Sequence, residues 1–136
     1  MNSIANQLAA YIDAQTSLTV KVGTAAKGEV AQILIVRESL TSYDALDDTP
    51  DDGEELISIQ SVNYGTDKGC WDNLNTVSAL FFPASGADFT GTFIGSGRTV
   101  KAMHNEGQRD LDPARLSEAD IPWFRCELKV LIQHST

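Results

Sequence analysis

Hydrophobic and polar residues alternate most clearly near the end of the chain, over residues 123–134. One side of this segment carries Phe124, Cys126, Leu128, Val130 and Ile132, and the other carries Trp123, Arg125, Glu127, Lys129, Leu131 and Gln133. Alternation at every second position is typical of a β-strand that packs one face on a hydrophobic core. We therefore predict a long final strand whose first face is buried and whose second face meets water or a partner.

Two other segments have hydrophobic residues at intervals of three and four, the spacing of an amphipathic α-helix. The first covers residues 3–15, with Ser3 as its N-cap. The second has Asp67 as its N-cap and ends at Pro83 and Gly86. Its hydrophobic positions are Cys70, Trp71, Leu74, Val77 and Phe81. Both helices are predicted to pack on a sheet.

The remaining elements are predicted strands separated by polar loops. Strands are predicted for residues 18–22, 30–38, 56–64, 89–94 and 98–103, with a tight turn at Gly95 to Gly97. Residues 39–53 and 104–122 are predicted loops because they are rich in Asp, Ser, Thr and Pro or otherwise polar. Length and element order predict one α+β domain over residues 1–136, a single mixed or antiparallel β-sheet packed by two amphipathic helices.

The negative charge of the chain is concentrated in one segment. The net charge is −9, and residues 44–55 contain seven acids and no Lys or Arg. These acids are Asp44, Asp47, Asp48, Asp51, Asp52, Glu54 and Glu55. Repulsion between them predicts a mobile acidic loop, and their spacing lacks the alternation of a calcium-binding loop. The acidity also argues against binding nucleic acid through its phosphates, although an acidic surface can face a polyanion without holding it.

Candidate catalytic residues do not form a known motif. The stretch around Gly95, Ser96 and Gly97 lacks the lysine of a phosphate-binding loop and the spacing of a nucleophile elbow. His104 and His134 lack metal-ligand spacing. We therefore expect no cofactor, no metal site and no enzymatic activity, with a small hydrolase that uses Asp and His as the alternative.

Cys70 and Cys126 both fall on predicted hydrophobic faces, which favours buried free thiols over a reactive pair, while a disulfide stays the less favoured alternative. The sequence also has no recognisable signal peptide and no hydrophobic run of ~20 residues, so we expect a protein made in the cytosol with no membrane partner.

Basic residues gather in the last third of the chain and suggest a contact surface. Trp123 lies beside Arg125 on the polar side of the final strand, and Trp and Arg are enriched where proteins bind each other. The candidate contact residues are Trp123, Arg125, Lys129, Arg109 and Arg115. The acidic segment, on the same molecule or a neighbouring one, is their natural electrostatic complement.

The chain resembles the tail terminator and minor capsid proteins of long-tailed bacteriophages. The likeness rests on the element order, on the segment Val62-Asn63-Tyr64 before a helix with Leu74, Val77 and Phe81, and on the closing stretch over residues 120–130. It implies a subunit of a homo-hexameric ring that ends tail-tube growth and docks to the neck, with tube and neck or connector proteins as partners. It also implies passage of DNA without specific binding, no catalysis, and a location in the virion after assembly in the host cytoplasm. A head-completion or connector protein at the same junction is the alternative.

Overall fold

The strand with the clearest alternation lies inside the sheet. The computed structural model describes residues 4–23, 32–42, 52–63, 65–95, 97–111 and 124–135. Within these ranges lie α1 (Ile4–Gln15), β1 (Val20–Val22), β2 (Ile33–Ser42), β3 (Asp52–Asn63), α2 (Asp67–Phe81), β4 (Gly91–Thr92), β5 (Thr99–Leu111) and β6 (Phe124–Ser135). The strand order is β1-β2-β3-β6-β5-β4. Only β1 and β2 run parallel, so the sheet is mixed and the predicted α+β fold with one sheet is confirmed.

Both helices pack on the same face of the sheet, which we call the covered face. Its side chains include Ile33, Ile35, Ile57, Ile59, Cys126, Leu128, Val130 and Ile132, and none of them is exposed to solvent. These side chains form one core with Leu8 and Ile12 of α1 and with Leu74 and Val77 of α2. The predicted inward face of the last strand is therefore confirmed, with Phe124 half-buried at its start.

An aromatic cluster joins the two helices to the residues on either side of β4. The rings of Tyr11, Phe81, Phe89 and Phe93 lie with centroids 5.2–6.0 Å apart. Residues 89–94 were predicted as a strand, but only Gly91–Thr92 pair with β5. The predicted strand is therefore confirmed only for two residues, and Phe89 and Phe93 on either side of them pack against Tyr11 and Phe81 of the helices.

The N-cap of α2 is Thr66, and the predicted cap, Asp67, is the first residue of the helix. Thr66 has an extended backbone, and its side-chain oxygen accepts a hydrogen bond from the amide of Gly69 at 2.9 Å. The side chain of Asn63 accepts hydrogen bonds from the amides of Gly65 and Thr66. These bonds fix the direct passage from β3 into α2, and Asp67 adds a favourable negative charge to the first turn.

The predicted loop over residues 39–53 is wrong at both of its ends. β2 continues to Ser42 and β3 begins at Asp52, with Gly53 opposite both Ser42 and His134. Asp52, Glu54 and Glu55 therefore belong to a strand, where Asp52 forms an ion pair with Lys101 of β5 and Glu55 lies 3.6 Å from Arg37 of β2. The remaining acids, Asp44, Asp47, Asp48 and Asp51, lie outside the described residues.

The predicted loop over residues 104–122 is also partly wrong, because β5 continues to Leu111. Two irregularities in its pairing with β6, between Val100 and Ala102 and between Asn105 and Gly107, break the simple alternation. Gly107 has a φ of 120°, which suits glycine at a bulge. Arg115 and Trp123 lie outside the described residues. In the described part of the chain, neither helix is long and hydrophobic enough to cross a membrane.

Candidate functional site

The second face of the sheet, which we call the open face, has no helix packed on it within the described residues. Residues that are paired between neighbouring strands form rows across this face. The register places Leu34, Gln60, Glu127 and Arg109 in one row, Val36, Ser58, Lys129 and Gly107 in the next, and Leu56, Leu131 and His104 in the third. The open face thus mixes charged side chains with half-buried hydrophobic ones.

A buried glutamate lies at the centre of the open face. Glu127 is 2% exposed because the side chains of the neighbouring strands surround it. Ser58 donates a hydrogen bond from Oγ to Glu127 Oε2 at 2.6 Å, and Arg109 Nε donates to Oε1. Gln60 Nε2 in turn donates to Ser58 Oγ at 3.2 Å. The carboxylate therefore ties β6 to both of its neighbouring strands.

The electrostatic environment favours the charged form of Glu127. Burial alone raises the pKa of this carboxyl group, but the hydrogen bonds from Ser58 and Arg109 lower it. The positive charges of Arg109 and Lys129 lower it further, so the net pKa lies below the ordinary value. The surroundings of Glu127 thus stabilise its ionised carboxylate.

The predicted contact residues that the structure describes all lie on the open face. Arg109 contacts Glu127, Arg125 donates to Gln60 Oε1 at 3.0 Å, and Lys129 Nζ lies 3.1 Å from Glu38 Oε2. The structure therefore brings three of the five candidates to one surface and gives each a partner within the subunit.

Asp52 and Glu54 of the acidic segment also have partners within the subunit. Lys101 Nζ lies 3.0 Å from Asp52 Oδ1, and Gln133 Nε2 donates to Glu54 Oε2 at 3.3 Å. Acidic and basic residues that are separated in the sequence are thus interleaved in space. The sequence predicted neither these pairs nor the central role of Glu127, because both depend on strand register.

A second buried charged group lies on the covered face, where β3 meets the end of β6. Glu55 and His134 are 2% and 4% exposed, and His134 Nε2 lies 2.7 Å from Glu55 Oε2. His134 Nε2 forms no hydrogen bond with a described residue. Arg98 Nε donates to His134 Nδ1 at 2.6 Å, which requires the imidazole tautomer with its proton on Nε2.

The other oxygen of Glu55 is poorly satisfied. Oε1 accepts no hydrogen bond from a described residue and lies 3.6 Å from the guanidinium of Arg37. The imidazole of His134 fits beside it only because Gly53 has no side chain, since a Cβ there would lie 2.9 Å from the ring. In the sequence, Glu55 ends the acidic segment and His134 ends the final alternating segment, and no local signal marks their contact.

The two cysteines are buried and free, as the sequence predicted, and they also touch. Their sulfur atoms lie 3.3 Å apart, between the first turn of α2 and β6. Cys70 Sγ also donates toward the carbonyl oxygens of Ser61 and Phe124. Burial raises the pKa of the Cys126 thiol. The two residues are 56 positions apart, so their contact has no signature in the sequence.

Neither the polar group around Glu127 nor the polar group around Glu55 has the arrangement of a serine hydrolase site. Ser58 is buried beside Glu127 on the open face, whereas His134 contacts Glu55 and Arg98 on the covered face. The nucleophile of a serine hydrolase is activated by an adjacent general base, most often a histidine, whereas the Ser58 hydroxyl donates its hydrogen bond to Glu127. Among the described residues, no three side chains of His, Cys, Asp or Glu come together as a metal site.

No protein-family model and no curated protein matches the sequence.

Proposed function

We propose that this chain is a structural protein of a bacteriophage virion, a tail terminator that forms a hexameric ring at the head-proximal end of the tail. The ring stops the growth of the tail tube and docks to the neck, without enzymatic turnover. The observation that carries the proposal is the open face, which offers four long strands and no covering helix within the described residues. The resemblance in element order supplies the identity of the assembly.

The composition of the open face suits contact with another protein. Hydrophobic side chains such as Leu56 and Leu131 are half-buried there, between rows that carry Glu127, Arg109 and Lys129. Protein interfaces combine a hydrophobic centre with polar groups whose positions give specificity. Because the charged groups are already paired within the subunit, little side-chain entropy is lost when a partner binds.

A ring also requires two different complementary surfaces on each subunit, and the open face is the candidate for one of them. The net charge of −9 suits a ring through which DNA passes without being held. A connector protein at the same junction would use the same surface, and the two roles differ in whether tail tubes or neck complexes are bound.

The test is electron microscopy of tail tubes polymerised with and without the purified protein. We expect ring density at one end of the tubes and a fixed tube length. If the tubes elongate unchanged and carry no ring, the terminator role is excluded. Binding to neck complexes in place of tubes would assign the connector role.

A matched pair of variants tests the surface. Leu131→Arg introduces a charge into the open face, and Asn75→Arg introduces the same charge at an exposed position of α2. We expect Leu131→Arg to abolish capping and Asn75→Arg to retain it, with both proteins folded by circular dichroism. Normal capping by Leu131→Arg would exclude the open face as the contact.

A further inference from the structure

Cys70 and Cys126 are placed as the two halves of a disulfide bond. Their sulfur atoms are 3.3 Å apart, and a disulfide needs ~2.05 Å, so the sulfurs have to approach by a little over 1 Å. They are the only cysteines of the chain, so no other thiol competes for the bond. One belongs to a helix and the other to a central strand, which means that a bond between them would join the two layers of the fold.

We propose that Cys70 and Cys126 form an intramolecular disulfide when the protein meets a low-molecular-weight disulfide such as oxidised glutathione. The thiolate of one cysteine attacks a sulfur of the oxidant, and one molecule of reduced glutathione leaves. The second cysteine then attacks the mixed disulfide, forms the bond between Cys70 and Cys126, and releases the second reduced glutathione. Two protein thiols are thus oxidised while one glutathione disulfide is reduced to two thiols.

Access to the oxidant is controlled by the first turn of α2. Both cysteines are fully buried, and the raised pKa of Cys126 keeps this thiol protonated and unreactive. Cys70 lies in the helix turn that Thr66 caps, and helix ends open more readily than central strands. Opening of this turn exposes Cys70 to the oxidant and relieves the burial of Cys126, which then loses its proton and attacks the mixed disulfide before the turn closes.

The bond has a consequence that rests on the proposed function. A virion protein assembles in a reducing cytoplasm and then persists in oxidising surroundings. The thiols therefore stay free during assembly, and the bond fastens α2 to the sheet afterwards. Closing a loop between residues 56 positions apart restricts the unfolded chain, so oxidation stabilises the finished subunit.

The experiment uses the purified full chain, incubated with oxidised glutathione or with a phosphine reductant and then denatured in N-ethylmaleimide. We expect two maleimide adducts on the reduced protein, none on the oxidised protein, and a peptide that links residues 70 and 126 by mass spectrometry. The melting temperature should rise on oxidation. Two adducts after oxidation, stable glutathione adducts, or only intermolecular dimers would each overturn the proposal.

Variants of two threonines test the proposed route. Thr66→Ala removes the cap of α2, and Thr76→Ala removes an exposed threonine further along the same helix. Loss of an N-cap weakens a helix end enough to speed opening about three- to tenfold, so Thr66→Ala should accelerate disulfide formation by this factor. Thr76→Ala should leave the rate unchanged. Equal rates in both variants would show that the first turn of α2 does not control access.

These measurements need no tail tubes. A failure of the disulfide to form would therefore leave the tail-terminator proposal intact, and a failure to cap tubes would leave the disulfide intact.

Discussion

Glu55 and Glu127 are buried in the same sheet, one on each face, and their carboxylates are satisfied in different ways. Glu127, on the open face, accepts hydrogen bonds from Ser58 and Arg109. Glu55, on the covered face, has a close contact with His134, while its second oxygen accepts no hydrogen bond from the part of the chain that the structure describes. The more fully satisfied acid is thus on the face that lacks helices within the described residues.

This difference shows how the two faces are stabilised. The covered face derives its stability from hydrophobic packing, and Glu55 lies at the end of that core with incomplete compensation for its burial. The open face is organised by paired polar groups that connect neighbouring strands. We expect substitutions on the two faces to lower the free energy of unfolding by different amounts. Two matched pairs of variants compare the faces, and a third pair tests the packing around His134.

The largest expected effect comes from two leucines on the same strand. Leu128 is fully buried on the covered face, so Leu128→Ala should lower the free energy of unfolding by about 2–5 kcal/mol. Leu131 is half-buried on the open face, so Leu131→Ala should cost only about 1 kcal/mol. Urea unfolding of both variants measures the difference. Equal losses would show that the two faces contribute equally to the hydrophobic core.

The second pair compares the two glutamates. Glu127→Gln weakens two hydrogen bonds to a charged group, which should cost about 1.5–3 kcal/mol, towards the lower value because Arg109 is 64% exposed. Glu55→Gln removes a poorly compensated buried charge and should be nearly neutral. A larger loss of unfolding free energy for Glu55→Gln than for Glu127→Gln would contradict this expectation.

The same pair has a defined pH dependence. The pKa of Glu127 is lower in the folded protein than its ordinary value of 4.5, so the unfolded chain binds more protons between these two values. Its contribution to stability is complete above pH 4.5 and is lost as the pH falls through the folded pKa. The gap in unfolding free energy between the wild type and Glu127→Gln should therefore narrow below pH 4.5, and a constant gap would contradict the assignment.

The smallest expected effect concerns the space beside His134. Gly53→Ala would place a Cβ 2.9 Å from the imidazole, and the resulting shift should cost about 1–2 kcal/mol. Gly95→Ala is the control, because nothing lies within 4 Å of a Cβ at that position. Thermal unfolding compares the two variants. Equal melting temperatures would show that His134 moves freely and is not held by Arg98 and Glu55.

Local patterns predicted those elements whose residues pack on the core. The alternation in β6 and the helical spacing in α2 both reflect burial on one side, so they were visible in the sequence. β5 was predicted only in part because the residues between His104 and Asp110 are mostly polar and a bulge shifts their register. A strand whose side chains are mostly polar on both faces has no hydrophobic periodicity to detect.

The buried polar groups could not be predicted because each depends on partners distant in the chain. Asp52 and Glu55 looked like the end of a repelling acidic loop, but Lys101 and Arg37 reach them from other strands. Alternation correctly placed Arg125 and Lys129 on the same side of the final strand, whereas Arg109 was predicted to lie in a loop and belongs to β5. Their partners were set by the sheet order, which the sequence alone does not determine.

The position of β6 in the sheet has a consequence for synthesis on the ribosome. This strand lies between β3 and β5, yet it comes after every other described element in the chain. Ser58 and Glu127, which are in contact, are 69 positions apart. Until residues 124–135 emerge, the nascent chain has an unpaired inner edge on β3 and an incomplete core, both of which promote aggregation. Chains that stop before residue 124 should therefore be substrates for chaperones and proteases.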